Sequence, residues 1–203
     1  MLVRFYALSL LLSLCLGCAP LTLPPDQLQS GTHLTLRKKS LSAKAAFSAQ
    51  GKLGLQEGKR GGNIRFQWQQ VGERYSLALF SGFIGQGSID ISGDANQVIL
   101  TEADGSKRQA KTPEALIEEA LQWSIPVSDL RYWLLGLPAP QTPVEGLKYD
   151  DEKRIWQLKQ AGWTINYQAY QTLPDGTDVP HKLQLKQGPL ILKFVFTHWS
   201  RTN

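Results

Sequence analysis

The runs Ile64-Arg65-Phe66-Gln67-Trp68-Gln69 and Tyr75-Ser76-Leu77-Ala78-Leu79 decide the fold. In both, large apolar residues return at every second position, with polar or small residues between them. Successive side chains of a strand point to opposite faces, so a period of two marks strands with one face buried. A short link joins the two runs, as in an antiparallel pair.

The same pattern extends in both directions. Upstream, Phe47, Ala49, Gly51, Leu53 and Leu55 share one face. Downstream come Ile89 and Ile91, then Val98 and Leu100, then Ser106 to Ala110 behind an Asp104-Gly105 turn. After a non-alternating middle section the pattern returns in Ile155 to Gln160, Trp163-Ile165-Tyr167, Leu183-Leu185 and Leu190-Leu192-Phe194-Phe196. Turn residues separate these runs at Gly162, Pro174-Asp175-Gly176 and Gly188-Pro189. About ten or eleven half-buried antiparallel strands follow from this reading.

The middle section reads as two short helices. Thr112-Pro113-Glu114 supplies an N-cap, a proline at the first helical position and an acid in the first turn. Leu116, Ile117, Ala120 and Leu121 form its apolar stripe, with Glu118 and Glu119 outside. Ser128-Asp129 is read as the start of the second helix. Leu130, Trp133, Leu134 and Leu137 share its buried side, and Gly136-Leu137-Pro138 ends it. A one-sided antiparallel sheet with short amphipathic helices between its strand groups implies a single, mainly β domain: a curved sheet covered by helices. Its 203 residues, 42% hydrophobic and 19% charged, suit one such domain.

The amino terminus is an address. Met1 to Arg4 is a short basic start, and Phe5 to Leu16 is an apolar run, shorter than the roughly 20 residues that cross a bilayer. It has the length of a signal-peptide core and ends in Leu14-Cys15-Leu16-Gly17-Cys18. Gly17-Cys18 resembles a bacterial lipobox, although Cys15 stands where Leu is usual. The resemblance implies a signal over residues 1–17 and a diacylglycerol and N-acyl chain on Cys18. Simple secretion with cleavage near Gly17 or Ala19, or an uncleaved anchor, is the alternative. By the same analogy, Ala19 after the cysteine implies sorting to the outer membrane. Pro20, Pro24 and Pro25 make residues 18–28 an extended tether. The domain occupies 29–203, and Gln29 to Ser42, with a basic Arg37-Lys38-Lys39 cluster, has room for a helix.

Chemistry is sparse. Cys15 and Cys18 are the only cysteines, so residues 19–203 hold no disulfide or thiol nucleophile. His33, His181 and His198 have no ligand spacing, so no metal site is expected. The sequence has no G-x-S-x-G elbow, Walker-type loop or G-x-G-x-x-G motif. Glu118-Glu119 and Asp150-Asp151-Glu152 read as solvated charges rather than an acid–base pair. The formal charge of +5 suits an anionic surface but does not identify one. No catalytic residue, cofactor or nucleic-acid partner is expected.

Two features remain. Ser81-Gly82-Phe83-Ile84-Gly85-Gln86-Gly87 links two strands but carries Phe83-Ile84 at its tip, flanked by Gly82 and Gly85. Loops normally face water, so this tip either folds back or forms an exposed apolar wedge. Aromatic residues are also plentiful on the inward stripe: Phe66, Trp68, Tyr75, Trp133, Trp163, Tyr167, Phe194 and Phe196. They either fill a core or line an apolar cavity beneath the helices.

Several blocks resemble the LolB family of outer-membrane lipoprotein receptors. They are Phe66-Gln67-Trp68-Gln69-Gln70, Arg74-Tyr75-Ser76-Leu77, the Phe83-Ile84-Gly85 tip, and Leu130-Arg131-Tyr132-Trp133-Leu134-Leu135-Gly136-Leu137-Pro138. The Leu190 to Trp199 strand also matches. The resemblance implies an unclosed β-barrel with a helical lid over an apolar cavity. It implies a monomeric, non-enzymatic receptor that accepts lipoproteins from the periplasmic carrier LolA and inserts them among outer-membrane phospholipids. Ile84, beside Phe83, takes the place of the family's protruding apolar residue. The acyl cavity is expected among Phe66, Trp68, Tyr75, Leu77, Leu116, Leu121, Leu130, Trp133, Leu134, Trp163, Tyr167 and Phe194. A passive structural lipoprotein with a filled core is the rival reading, and an enzyme acting on lipid or glycan is a third that no motif supports.

Overall fold

The structure is a computed structural model that describes Thr35, Leu41 and residues 46–80, 87–94 and 96–202. The signal, Cys18, the tether, most of the Gln29 to Ser42 segment and the Gly82-Phe83-Ile84-Gly85 tip lie outside the described residues. Thr35 is helical and Leu41 is buried.

Eleven strands form one antiparallel sheet: β1 (Ala46–Glu57), β2 (Arg60–Val71), β3 (Arg74–Phe80), β4 (Ser88–Gly93), β5 (Val98–Thr101), β6 (Lys107–Ala110), β7 (Val144–Tyr149), β8 (Ile155–Gln160), β9 (Trp163–Thr172), β10 (Asp178–Gln187) and β11 (Leu190–Thr202). Their order is β6-β5-β4-β3-β2-β1-β11-β10-β9-β8-β7. Pairing β1 with β11 brings the two ends of the domain together at the centre of the sheet. Strands β6 and β7 are its two free edges, so the sheet does not close into a barrel. The chain between those edges carries helices α1 (Pro113–Leu121) and α2 (Val127–Trp133). The only way from one edge to the other in this order is across the sheet, and the helices cover its apolar face.

Burial follows the alternation. In β2, Ile64, Phe66 and Trp68 are buried while Arg65 and Gln69 face solvent. Cross-strand pairs stack the buried faces in layers: Leu53 lies between Ile64 and Phe194, Leu55 opposite Leu192, and Trp68 opposite Leu77. Phe66 meets Phe194 and Phe196 edge-on, each at 5.5 Å between ring centres. Gly51 sits at the register shift between β1 and β11, and a Cβ there would lie 2.2 Å from the Val195 carbonyl oxygen. That backbone approach excludes any larger residue.

β7 is the strand whose pattern was not visible in the sequence. It is a free edge with both faces partly accessible, so no apolar alternation is required of it. Helix α1 begins as read: Thr112 Oγ1 accepts from Ala115 N at 3.4 Å, with Pro113 first in the helix. Helix α2 begins earlier than the Ser128-Asp129 reading. Pro126 is its N-cap and makes no side-chain cap bond. The Ser128 N–H instead donates to Glu114 of α1 at 2.7 Å, and Asp129 accepts from the Thr142 hydroxyl at 3.0 Å. The Glu114 carboxylate thus satisfies an end-of-helix N–H of α2, and Thr142 engages the Asp129 carboxylate. The helical turn ends at Gly136 (φ 71°), where Leu137 N bonds back to Tyr132 O and Gly136 N to Trp133 O, both at 3.0 Å.

Candidate functional site: the space between sheet and helices

The apolar residues of the concave face divide into two regions. Over β8–β10 the packing is anchored by a buried amide. Gln160 has no exposed surface. Its Oε1 accepts from Trp133 Nε1 (2.8 Å) and Ala139 N (2.9 Å), and its Nε2 donates to Ala139 O (2.8 Å) and Thr142 O (2.6 Å). All four hydrogen-bonding positions of the amide are used. The Tyr167 hydroxyl donates to Trp133 O at 2.9 Å, and the Trp133 and Trp163 rings lie 6.3 Å apart. Trp133, Leu134, Trp163 and Tyr167 therefore pin the end of α2 and the following turn to the sheet.

Over β1–β3 and β11 the helices rest on an apolar space of about 40 Å³. Its sheet walls are Leu53 and Leu55 (β1), Ile64, Phe66 and Trp68 (β2), Leu77 and Leu79 (β3), and Leu192 and Phe194 (β11). Its roof is Ile117 of α1, Ile125 of the inter-helix link, and Val127 and Leu130 of α2. A single water needs about 15 Å³ measured this way, so the space is narrow and has no polar partner to hold water. As it stands it holds no acyl chain: the roof is shut onto the sheet.

Five of the twelve residues expected to line a cavity, Phe66, Trp68, Leu77, Leu130 and Phe194, do face this space. Leu116 is buried in the core, and the Leu121 side chain lies outside the described ones. Tyr75 lines an adjoining, half-polar pocket of about 240 Å³ with Glu73, Asp94, Lys111, Ser128 and Arg131. Burial first, then the nearby Glu114 carboxylate, hold its phenol well above the ordinary range, so Tyr75 stays protonated. Ile125 and Val127, which form part of the roof, were not among the residues expected to line the space. The signal was present, since Trp123, Ile125 and Val127 alternate as strand residues do.

The roof is tied to the sheet on the side away from Gln160. Trp123, 3% exposed, donates from Nε1 to Glu57 Oε2 at 3.0 Å. The Arg60 guanidinium lies 5.2 Å from the Trp123 ring centre and 3.8 Å from the same carboxylate oxygen. Two polar contacts thus hold the roof at its ends, a dry one at Gln160 and a partly solvated one at Glu57. Among the described residues no three His, Cys, Asp or Glu side chains gather to hold a metal ion. Glu118 and Glu119 are exposed, and Glu119 pairs with Arg108 at 3.0 Å. Asp150 bonds the Arg154 side chain across its own turn at 2.8 Å. Among the described residues no helix is long and apolar enough to cross a membrane.

Comparison with known proteins places this geometry. The family described as "Outer membrane lipoprotein LolB" matches residues 45–199. The outer-membrane lipoprotein LolB of Cellvibrio japonicus is 36% identical over 190 residues, covering 91% of this chain and 90% of that protein. That of Chromohalobacter salexigens is 35% identical over 189 residues, covering 93% and 86%. Among solved structures, an outer-membrane lipoprotein-sorting domain from Vibrio parahaemolyticus superposes with a TM-score of 0.55 at 6% identity, covering 87% of this chain and 92% of that one. A LolA-superfamily protein from Nitrosomonas europaea gives 0.52 at 6% identity, covering 85% and 93%. At that identity the likeness is one of fold.

Proposed function

The chain belongs to the LolB family of outer-membrane lipoproteins, and from that premise we propose that it receives lipoproteins from a LolA-type carrier and inserts them into the outer membrane. The observation that carries this reading is the wholly apolar space under the roof, with Trp68 and Phe194 in its walls. Bare acyl chains cannot cross water unaided. One sixteen-carbon chain costs about 12 kcal/mol to expose, at about 0.8 kcal/mol per methylene. Such a chain is drawn to a surface made only of hydrocarbon.

Entry requires the roof to lift, because about 40 Å³ accommodates no chain. Lifting uncovers Ile117, Ile125, Val127 and Leu130. At about 1.5–3 kcal/mol for each fully exposed side chain, the four roof residues alone cost about 6–12 kcal/mol, and the sheet walls beneath them add to it. One incoming chain offsets that by covering the same side chains again. The roof therefore stays shut in water and opens against cargo, which keeps the sticky surface hidden between deliveries. No fuel is needed. A tenfold affinity advantage over the carrier takes only about 1.4 kcal/mol, and the bilayer lies further downhill.

Cys18, acylated, is the anchor in this reading, and several acyl chains hold firmly where one is marginal. Strand β1 starts at one end of the sheet, and β3 runs out toward the other, where β1 turns into β2. In this reading the end carrying the Phe83-Ile84 loop faces the membrane. The apolar tip acts there at the release step.

The test uses the mature chain with Cys18→Ser, presented with carrier loaded with acylated cargo. Transfer to the variant, together with saturable binding of a fluorescent hexadecanoyl probe, is the expected result. A protein that ignores both cargo and probe would instead be the passive structural lipoprotein.

A further inference from the structure

The outer face of the sheet, turned away from the roof, is basic. Strands β2, β1, β11, β10, β9 and β8 are consecutive in it. Their outward positions carry Arg65, Lys52, Lys193, Lys182, Lys186 and Lys159, each exposed and each next in sequence to a buried residue of the inner face. Of the chain's 22 Lys and Arg, these six leave 16 for everything else, against 17 Asp and Glu. One side of one sheet therefore accounts for the basic excess of the whole protein.

Carboxylates stand at the borders of this face. The six strands hold two: Glu57, which turns under the roof to Trp123, and Asp178, at the far end of β10, which accepts from the Thr172 hydroxyl. Beyond them, Asp90 lies on β4, two strands from β2, and Glu145 of β7 accepts from Gly162 N. Among the described residues none of the six cations pairs with a carboxylate, whereas Arg60, Arg108, Arg131, Arg154 and Arg201 all do.

The register crowds the cations together. Lys52 lies directly opposite Arg65, Lys52 and Lys182 flank Val195, and Lys186 and Lys159 flank Thr164. Like charges facing each other across a ladder destabilise a sheet. Lysines on edge strands guard against aggregation, but β1, β2, β10 and β11 are central. Folding gains nothing from this arrangement, so the cause lies in a partner of opposite charge. None of the six lies beyond the Lys52 row toward the other end of the sheet, where β1 and β2 turn Ser48, Gln50, Gln67 and Gln69 outward. The Lys52 and Arg65 row continues to Phe80, which is 37% exposed, with the Arg65 guanidinium 5.9 Å from its ring centre. A hollow of about 380 Å³ opens on the same face beside Lys59, Lys193, Gly54 and Gly61.

The chain belongs to a family of outer-membrane lipoproteins, so a bilayer leaflet is the surface beside it. We propose that the outer face of β1, β2, β8, β10 and β11 docks on that leaflet through anionic phospholipid headgroups, with the six cations against their phosphates and Phe80 at the margin. An extended array of unpaired cations bordered by an exposed ring matches such an interface. The proposal needs only the outer-membrane address and does not rest on the acyl-receptor reading. Docking leans the end of the sheet that bears the β1–β2 turn onto the bilayer and leaves the roof facing the aqueous side, from which cargo arrives.

The test uses the mature Cys18→Ser chain and vesicles of phosphatidylcholine with or without phosphatidylglycerol. Binding should require phosphatidylglycerol and be lost in high salt. Lys52→Gln with Lys193→Gln should weaken it about fivefold for each cation removed, about 25-fold for the pair. The unfolding midpoint should stay unchanged or rise, because the repulsion between Lys52 and Arg65 is relieved. Lys159→Gln with Lys186→Gln, a pair on two other strands, should weaken binding to the same degree. Arg74→Gln with Lys111→Gln removes as much charge away from the six cations and should bind as wild type does. Equal loss in that control reduces the effect to net charge and overturns the proposal, as does binding without a phosphatidylglycerol preference or wild-type binding by both face variants. Slower cargo transfer from the carrier in vesicle-free solution, with phosphatidylglycerol binding retained, would assign the face to the carrier and also overturn it. In each of these outcomes the acyl-receptor reading keeps its own test.

Discussion

Replacing Glu57 by alanine should make this protein less stable and yet a better acyl binder. The carboxylate accepts the Trp123 indole N–H at 3.0 Å, and Trp123 lies two residues before Ile125 and four before Val127 in the roof. A hydrogen bond to a charged acceptor contributes about 1.5–3 kcal/mol when buried. The Glu57 side chain is 35% exposed, so about 1–2 kcal/mol is the appropriate range here. The Arg60 pairing lies within the β1–β2 hairpin and does not distinguish shut from open. Losing 1–2 kcal/mol from the shut state alone multiplies the open population by about 5–30. While the open form is a minor species, the apparent dissociation constant for an acyl probe falls by the same factor. The unfolding temperature should drop by about 2–8 °C in a domain of this size. Titration with a fluorescent hexadecanoyl probe, beside a thermal melt, reads both quantities. Glu57→Gln keeps an acceptor and should fall between alanine and wild type. An unchanged or weaker acyl affinity alongside the lowered melt would refute the idea that this contact holds the roof shut.

Gln160→Leu should cost about 3–5 kcal/mol, because it leaves the Trp133 indole and Ala139 N–H buried without acceptors. A urea midpoint that moves by less than the equivalent of about 1 kcal/mol would show that the amide does not pin the roof. Ile84→Glu should leave cargo uptake from the carrier intact and block release into liposomes. Normal release would remove the apolar tip from the mechanism.

The strands of the buried centre were readable because each has one wet and one dry face, and alternation is the local mark of that condition. Ile64, Phe66 and Trp68 announce β2 without reference to anything else in the chain. β7 gave no such signal, because an edge strand open on both sides is under no pressure to alternate. The first helix was legible through Thr112 and Pro113, whose capping role depends only on neighbours in sequence. The start of the second was misplaced because Ser128 and Asp129 look like caps but bond Glu114 and Thr142 instead. Gln70 and Gln160 were invisible as structural residues. Polar residues signal exposure, and only the assembled interior shows Gln70 accepting from Trp68 and Gln160 joining Trp133, Ala139 and Thr142 through four hydrogen bonds.

Local chemistry along the chain therefore determined which residues face inward, where the sheet turns and where an acylated address stands. It did not determine which inward residues touch. Trp133 and Trp163 read the same as Trp68 and Phe194, yet one pair packs solid and the other walls a space. That difference depends on the gap between the sheet and its helical roof. The gap is set by the curvature of eleven strands and by contacts such as Trp123 to Glu57, which join residues 66 positions apart. Periodicity carries information over a few residues, whereas a void is a property of surfaces that meet only after the whole chain has folded.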